Sequence, residues 1–302
     1  MDICGDFPCT KILVNNGKGI ITQDFFEFKK SPDPDILNCL YGKDLFDILF
    51  RDLNVIGFKE NEEIILKIVF QENNFNTENA LLGKIAEALV VRRCHEDDEI
   101  NIKYFSLARG KLARRKTAKR FFAIGTGLES TKMKYPQQYN PTDPQWDVQW
   151  IDLKEKNRLA IVKNNDSRST NAAQIAGLQI KTSQNGVRYV LNDILDNRYL
   201  APVIYFGLNN DLDRIKLKLS EKAKEKGISL NINAIVSAVD MDPEGYEIFL
   251  YYKELLHYLI EGKLTPKGLL QEAKWENKTF IKSVLLNQSL DMMNDPSLIV
   301  TP

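Results

Sequence analysis

The sequence predicts an α/β (α+β) fold in which a mixed central β-sheet is flanked by helices. Residues 146–183 contain two short apolar runs typical of strands, of which GLQIKTS at 177–183 is the clearest. Helical and strand-like patterns then alternate, with helices expected at 192–200 and 212–227 and strands at 201–208 and 229–240. A chain of 302 residues with 43% hydrophobic content can bury a sizeable core.

Three regions are expected along the chain. Residues 1–72 form an N-terminal α+β accessory region, residues 73–240 the core, and residues 241–302 a C-terminal helical region packed on the core. In the accessory region the pattern predicts two strands within 10–29, a helix at 34–50 and a buried strand at 62–70. In the C-terminal region it predicts helices at 244–262, about 265–274 and 276–290.

The core is expected to open with a helix at about 78–94, with Thr77 as its N-cap. Glu87 lies within the apolar run of this helix, either as a solvated surface carboxylate or as a site residue. Residues 95–99 include four acids, which could bind a cation but are predicted to form a solvated loop. Residues 125–145 are rich in Gly, Pro, Tyr and polar residues, and they predict a long loop leading into a strand that Asp147 begins.

The strand 177–183 carries an unusual pair of polar side chains. Gln179 and Lys181 are two residues apart and therefore share one face, while Leu178, Ile180 and the Thr182 methyl face a core. An amide oxygen and an ammonium on one strand face can hold a metal ion and a water molecule beside a phosphate. The pattern therefore suggests metal-dependent phosphodiester chemistry.

A basic segment at residues 103–120 indicates a polyanionic partner. The whole chain has 41 basic and 41 acidic residues, so only local clustering can argue for nucleic acid. The alternatives are a solvated basic helix or hairpin, or a surface that docks an acidic protein. The flanking Tyr104, Phe105, Phe121 and Phe122 could stack on bases or anchor the segment to the core. The residues expected to contact nucleic acid are Arg109, Lys111, Arg114, Arg115, Lys116, Lys119 and Arg120.

The order of polar residues resembles the PD-(D/E)xK, or restriction endonuclease-like, nuclease superfamily over roughly residues 78–240. Glu87 lies in a helix, Asp147 begins a strand, and Gln179-Ile180-Lys181 lies in the next strand, followed by a helix and a strand. Two positions depart from the family pattern. Trp146 replaces the proline, and Gln179 replaces the second acid. An amide oxygen can ligate a hard cation but adds no charge, although some relatives use glutamine there and remain active.

The resemblance implies a restriction endonuclease-like core and a set of site residues. Mg²⁺, or Mn²⁺ in its place, would be held by Asp147, the Gln179 side-chain oxygen, the Ile180 carbonyl and Glu87, the last directly or through water. The metal would polarise the scissile phosphate and lower the pKa of a bound water. Lys181 would orient that water and stabilise charge in the transition state, and cleavage would leave a 5′-phosphate.

Two rival residues can be weighed within the sequence. Lys163 also ends a strand-like run, but the residue two positions earlier is Ile161, which cannot ligate a metal. Asp152 follows Asp147 by five positions, so the two carboxylates point to opposite faces of a strand. Lys181 and Asp147 are therefore preferred.

The function expected from the resemblance is an Mg-dependent phosphodiesterase, a deoxyribonuclease of the restriction or phage-defence type. Cutting both strands of a duplex at once needs two active sites, which a homodimer would supply. One alternative is a catalytically degenerate nucleic-acid-binding protein on the same fold, which Gln179 favours. A repair or resolvase-type nuclease and a structural interaction protein are further alternatives.

Several other classes are not supported by the sequence. Four cysteines without a C-x-x-C pair and only two histidines argue against a zinc site. There is no G-x-S-x-G and no G-x-x-x-x-G-K-[ST] motif. The first 20 residues lack the pattern of a signal peptide, and no apolar run approaches the roughly 20 residues of a membrane span. A cytoplasmic protein without a membrane partner is expected.

Overall fold

The computed structural model describes residues 11–16, 18–68, 73–155, 160–161, 174–196, 199, 201–227, 235–270, 274–275 and 278–279. The chain divides into two compact units. Unit 1 takes its described residues from Met1–Phe50, Val55–Ile68 and Leu250–Pro302, and unit 2 from Arg51–Asn54 and Val69–Phe249. Compactness does not test independent folding, so the expected domain boundaries at residues 72 and 240 stay a prediction.

Unit 1 begins with the predicted strand pair and helix. The elements are β1 (Lys11–Asn15), β2 (Ile20–Asp24), α1 (Phe25–Lys30), α2 (Pro34–Asp47), β3 (Ile56–Phe58) and β4 (Ile64–Leu66), and a π-helical turn (Ile48–Asp52) follows α2. The expected extended segment to residue 29 is wrong beyond Asp24, because the Asp24 side chain caps α1 by accepting the Phe26 and Glu27 N–H groups. In the described part of the expected buried strand 62–70, which ends at residue 68, only Ile64–Leu66 form a strand, and these residues are partly exposed.

Unit 2 begins with two consecutive helices, α3 (Asn74–Glu96) and α4 (Asp98–Arg109). Asn73, not Thr77, is the N-cap of α3, because its side chain accepts the Phe75 N–H. The acidic cluster is not a solvated loop. Asp97 accepts the N–H groups of Glu99 and Ile100 and so begins α4, where acids in the first turn are stabilised by the helix dipole.

A five-stranded mixed sheet forms the centre of unit 2. The elements after α4 are α5 (Arg115–Ala118), β5 (Phe121–Gly125), α6 (Glu129–Lys134), β6 (Val148–Asp152), β7 (Ala160–Ile161), β8 (Gln174–Ile175), β9 (Gly177–Ser183), α7 (Gly186–Tyr189), α8 (Leu191–Leu195), β10 (Val203–Gly207), α9 (Leu212–Lys226), β11 (Ile235–Ser237) and α10 (Ala238–Met241). The sheet order is β11-β10-β9-β6-β5. The pairs β11-β10 and β10-β9 are parallel, and β9-β6 and β6-β5 are antiparallel.

Helices cover both faces of this sheet, which confirms the predicted mixed sheet flanked by helices. Val203 and Tyr205 pack with Ile215 and Leu219 of α9 on one face of β10. Ile204 and Phe206 point to the opposite face of β10, where the Phe206 ring lies 4.8 Å from the ring of Phe249. Helix α3 packs on β5 and β9 and so brings its side chains to the sheet.

Some predicted elements of unit 2 differ in extent. The expected long loop at 125–145 contains α6 and a 3-10 turn (Pro136–Gln138). The expected helix at 192–200 is the shorter α8, preceded by α7, which the pattern did not reveal. Helix α9 ends as predicted at Gly227, whose φ of 63° suits a residue without a side chain. Within the expected strand 229–240, residues 235–237 form β11 and residues 238–240 belong to α10. Residues 229–234 and Lys163 lie outside the described residues.

The C-terminal elements are the predicted helix, observed as α11 (Pro243–Ile260), a 3-10 turn (Gly268–Leu270), β12 (Lys274–Trp275) and β13 (Lys278–Thr279). The helices expected at about 265–274 and 276–290 are wrong where the chain is described, because a 3-10 turn and an antiparallel strand pair stand there. Among the described residues, no helix has the length and apolar character needed to span a bilayer.

Helix α3, which carries Glu87, is held by a buried ion pair. Arg93 Nε and Nη2 donate to the two Asp242 carboxylate oxygens at 2.7 and 3.0 Å, and Nη2 also donates to Glu244 at 2.8 Å. Arg93 and Asp242 are both buried. A buried carboxylate left without its cation is strongly destabilising, so this pair should fix the position of α3.

We expect Arg93→Met to lower the free energy of unfolding by about 3–5 kcal/mol, because it leaves Asp242 buried without a counter-charge. Urea unfolding followed by circular dichroism measures the change. Lys59→Met is the control, since Lys59 and Glu63 form an exposed pair at 2.8 Å, for which the loss should stay below about 1 kcal/mol. Equal small losses for both variants would contradict a stabilising role for the buried pair.

Candidate active site

Asp147 lies at the point where β6 and β9 stop pairing. Val148 and Leu178 are the last paired residues, and the Asp147 N–H donates to the Leu178 carbonyl at 2.9 Å. Two residues further along β9, the Ile180 N–H donates to Asp147 Oδ2 at 2.8 Å. The carboxylate thus accepts the N–H that a strand carbonyl would otherwise accept, and this is the last hydrogen bond before the two strands separate.

Gln179 is tied to the same carboxylate. Its Nε2 donates to Asp147 Oδ2, as expected for an amide facing a negative charge. Its Oε1 is buried and has no hydrogen-bond partner within the described part of the chain. A buried oxygen without a donor costs about 1–3 kcal/mol, which a cation or a donating ligand would recover.

The two faces of β9 differ less in solvent exposure than the alternating sequence pattern predicted. Gln179 was expected to share an open face with Lys181, but it is only 4% exposed. Lys181 is partly exposed, and its Nζ lies 4.9 Å from the centre of the Tyr199 ring. Leu178, Gln179 and Ile180 are all buried, so both faces of β9 are covered there, and the strand becomes partly exposed only from Lys181 onward.

Glu87 is buried and is not a solvated surface carboxylate. It is 5% exposed, and both of its oxygens accept from Lys84 Nζ, at 2.7 and 2.9 Å. Burial raises the pKa of Glu87 to about 7, and the negative charge of Asp147 raises it further. The positive charges of Lys84 and Lys181 act in the opposite direction. The two carboxylates therefore lie close enough to influence each other.

The pKa of Asp147 is also raised. Burial is the main cause, opposed by the Ile180 N–H group and by the charges of Lys181 and Lys84. For both carboxylates the effect of burial outweighs the opposing charges of Lys84 and Lys181. Strongly perturbed pKa values cluster at functional sites, so this pair marks a candidate site.

A cavity of about 680 Å³ connects these groups. Glu87, Asp147, Ile180 and Lys181 line it, and Gln179, which is not part of the lining, donates to Asp147. One wall comes from the first turns of α3 and the other from the end of β9 and α7. The structure thus brings together the helix, strand-start and strand residues that the sequence analysis proposed.

The carboxylates that line this cavity, from Glu87 and Asp147, suit a hard divalent cation. Gln179 is not part of the lining, but its Oε1 is a neutral oxygen without a hydrogen-bond partner among the described residues. The N–H and C=O of one strand residue point to the same side, so the Ile180 carbonyl faces the edge that its N–H shares with Asp147. No group of three or more His, Cys, Asp and Glu side chains suited to a metal ion forms among the described residues. Any cation here would therefore depend on two carboxylates and neutral oxygens.

The rival acid, Asp152, lies at the other end of β6. It forms an ion pair with Arg120, and that interaction lowers the pKa of Asp152. It is absent from the lining of the cavity that Asp147 lines. The structure therefore gives Asp152 a partner in the basic segment.

The basic segment lies outside the cavity, and part of it is neutralised. Lys119 and Arg115 pair with Asp98 at 2.5 and 3.5 Å, and Arg120 pairs with Glu155 at 3.2 Å as well as with Asp152. Of the seven cations expected to contact nucleic acid, the other four form no ion pair with any described residue, namely Arg109, Lys111, Arg114 and Lys116. Their role in binding nucleic acid stays a prediction.

The aromatic residues that flank the basic segment include core anchors. Tyr104 and Phe105 are buried, and the Phe105 ring lies 5.1 Å from that of Phe121. Phe122 stacks on His95 with ring centres 3.9 Å apart, and His95 Nε2 lies 2.7 Å from the Ala123 carbonyl oxygen. Their contacts are those of packing residues.

Sequence reasoning missed three polar residues. Lys84 lies one helical turn before Glu87, a spacing that would have indicated the pair. Arg188 lies on α7, a helix too short to produce a periodic pattern. Gln149 follows Asp147 by two positions and is fully buried, and neither polar atom of its side chain has a partner among the described residues. No motif signalled it.

Comparison with known proteins finds no family model, no curated protein and no solved structure that matches the chain.

The raised pKa of Glu87 predicts a pH dependence of stability. Between pH 4.5, the ordinary value, and about 7, folded protein keeps a proton that the unfolded chain releases. The free energy of unfolding should therefore fall as pH rises through this window, by up to about 3 kcal/mol. Glu87→Gln should lack this component, so the wild-type minus variant difference in urea unfolding, measured in EDTA, should slope downward. A flat difference would contradict a buried Glu87 with a raised pKa.

Proposed function

We propose that this protein is a metal-dependent nuclease that cleaves DNA phosphodiester bonds. One observation carries the proposal: Glu87, Asp147, Gln179 and Lys181 converge where β6 and β9 separate, at the edge of one cavity. Their types and their order along the chain are those that suggested the PD-(D/E)xK superfamily. The proposal includes a restriction endonuclease-like core over residues 73–240.

The element order supports this core. Helix α3 carries Glu87, strand β6 follows Asp147, and strand β9 carries Gln179 and Lys181. Strand β10 then runs parallel to β9 after helices α7 and α8. A parallel neighbour needs a crossover connection, which these helices supply. This is the helix and strand pair expected after the Gln-x-Lys strand.

The side chains have distinct roles in the proposed reaction. Asp147, Glu87, Gln179 Oε1 and the Ile180 carbonyl would hold Mg²⁺ or Mn²⁺, which when bound polarises a phosphate and lowers the pKa of a water ligand. Asp147 is pre-positioned by its two hydrogen bonds from β9. Gln179 contributes an oxygen without adding to the repulsion between the two carboxylates.

Lys181 supplies the positive charge beside the reacting phosphate. Its ammonium is partly exposed at the cavity and lies near the Tyr199 ring. It would donate hydrogen bonds to the attacking water and to a phosphate oxygen, where negative charge grows in the transition state. The water oxygen bonds to phosphorus, the P–O3′ bond breaks, and the 3′ oxygen takes up a proton. The product strand keeps a 5′-phosphate.

The wider role rests on the resemblance alone. Restriction or phage defence in the cytoplasm, and a homodimer with two active sites, are the forms of this proposal that suit DNA cleavage. The unpaired cations of the basic segment, such as Arg114 and Lys116, are exposed and could contact the DNA backbone.

A second candidate is a DNA-binding protein that has lost cleavage activity. The amide of Gln179 donates to Asp147 where the superfamily pattern has a second acid, and no three-acid cluster forms among the residues the structure describes. Fewer negative charges mean weaker cation binding. This observation favours binding without chemistry, and only an activity measurement separates the two functions.

Cleavage of plasmid and phage DNA in Mg²⁺, Mn²⁺ or EDTA tests the proposal. We expect wild-type protein to cut in either metal and not in EDTA. Asp147→Asn and Lys181→Met should each lower the rate roughly 10²-fold or more, because each removes charge from the reacting centre. The matched controls are Asp213→Asn and Lys154→Met, whose side chains are exposed and lie outside the cavity lining.

The controls should cut at the wild-type rate. Cutting that persists in EDTA, or that survives in both site variants, would reject the proposed site. Salt-dependent DNA binding without any cutting would establish the second candidate. Circular dichroism of each variant shows that lost activity does not reflect lost folding.

A further inference from the structure

Two exposed aromatic rings stand at the walls of the cavity. Phe75 is 45% exposed and Tyr189 is 58% exposed, and both line the cavity with Asp147 and Lys181. In the described part of unit 2, the other large exposed apolar side chains are all aliphatic: Leu112, Met133, Leu153, Leu217 and Val239. Burying such a ring would be favourable by about 1.5–3 kcal/mol, so rings left in water at a cavity indicate a binding surface.

Both rings are held on ordered backbone. Phe75 is the second residue of α3, and its N–H donates to the capping Asn73 side chain at 2.9 Å. Tyr189 ends α7, whose Gly186 N–H donates to Asp211 at 2.7 Å. A side chain at Gly186 would lie 2.3 Å from the Tyr205 hydroxyl, so α7 is docked closely against β10. Rings on such supports lose little freedom on binding.

The charges around the rings suit a phosphate-bearing strand. Lys84, Lys181 and Arg188 line the cavity and are all at least partly exposed, whereas Glu87 is buried and Asp147 is partly buried. Side-chain amides also line the walls: Asn76, Asn79, Gln184 and Asn185. Cations that follow a phosphate backbone, combined with aromatic rings for bases, are typical of sites for single-stranded nucleic acid.

A duplex offers these rings little. Its base faces are stacked on one another, so only base edges and the sugar-phosphate backbone are accessible from the grooves. A single strand exposes its base faces, and every base can stack on an aromatic ring whatever the sequence. The exposed rings therefore favour an unpaired strand.

We propose that the cavity binds a single-stranded DNA segment, with Phe75 and Tyr189 stacked on its bases and Lys84 and Arg188 on its phosphates. This inference rests on the proposed nuclease function, because an unpaired strand bound beside Asp147 would be the substrate of that reaction. A duplex substrate would have to open locally before its strand reached the site.

Fluorescence anisotropy with a labelled oligo-dT 20-mer and a matched 20-base-pair duplex, both in EDTA, tests the proposal without cleavage. Wild-type protein should bind the single strand about tenfold or more tightly than the duplex. Phe75→Ala and Tyr189→Ala should each weaken single-strand binding by about 5- to 150-fold and leave duplex binding unchanged. Tyr189→Phe should retain binding, because it keeps the ring. Leu217→Ala, an exposed apolar residue away from the cavity, is the control.

The salt dependence separates stacking from charge. Arg188→Met should reduce the slope of log affinity against log salt by about 0.7, as expected for one lost phosphate contact to a single strand. The aromatic variants should lower affinity without changing that slope. A changed slope in Phe75→Ala would contradict stacking.

The remaining outcomes also decide the question. Equal affinity for single strand and duplex, or aromatic variants that bind like wild type, would overturn the proposal even if the protein cuts duplex DNA. Ring-dependent single-strand binding without cutting would uphold it and reject the nuclease function. An oligo-rU 20-mer bound more tightly than oligo-dT would overturn the assignment to DNA.

Discussion

The separation of β6 from β9 is the constraint on which the site depends. Where the two strands part, the Ile180 N–H loses its strand partner, and a buried N–H without an acceptor is costly. Asp147 Oδ2 accepts that N–H at 2.8 Å. The carboxylate is thereby fixed at the opening, Gln179 is tied to it, and the Ile180 carbonyl faces the same edge.

Electrostatics explains what the opening can hold. Glu87 and Asp147 are two carboxylates in a poorly solvated place, and burial raises the pKa of both. Lys84 contacts both oxygens of Glu87 and so offsets part of its charge. A divalent cation would compensate the pair more completely. A third acid at position 179 would bind that cation more tightly, but it would add like-charge repulsion whenever the cation is absent. Glutamine at this position therefore favours a stable fold in the metal-free state.

The elements predicted best were those with a strong local pattern. Strand β9 was predicted at its observed bounds because GLQIKTS alternates, and α9 ends at Gly227 as its left-handed conformation requires. Glu87, Asp147, Gln179 and Lys181 could be connected from residue type and order. The burial of Gln179 could not, because it depends on helices that cover both faces of the sheet.

Other features depend on distant parts of the chain or on weak local signals. Phe75 and Tyr189 are more than 100 positions apart, and only the fold brings them to one cavity. The N-cap of α3 is Asn73 and not Thr77. The sequence pattern missed the first turn of α3 because that turn is mostly polar and exposed, so apolar periodicity does not reach it. The acids at 97–99 read as solvated in isolation, yet Asp97 caps α4 and Asp98 pairs with Lys119.

Manganese binding followed by electron paramagnetic resonance tests the central claim most directly, because it needs neither DNA nor turnover. The account predicts one Mn²⁺ per chain in wild-type protein and loss of binding in Asp147→Asn. Gln179→Glu should bind about tenfold more tightly, since it adds a carboxylate beside Asp147. Binding unchanged in both variants would contradict a cation site at the opening between β6 and β9.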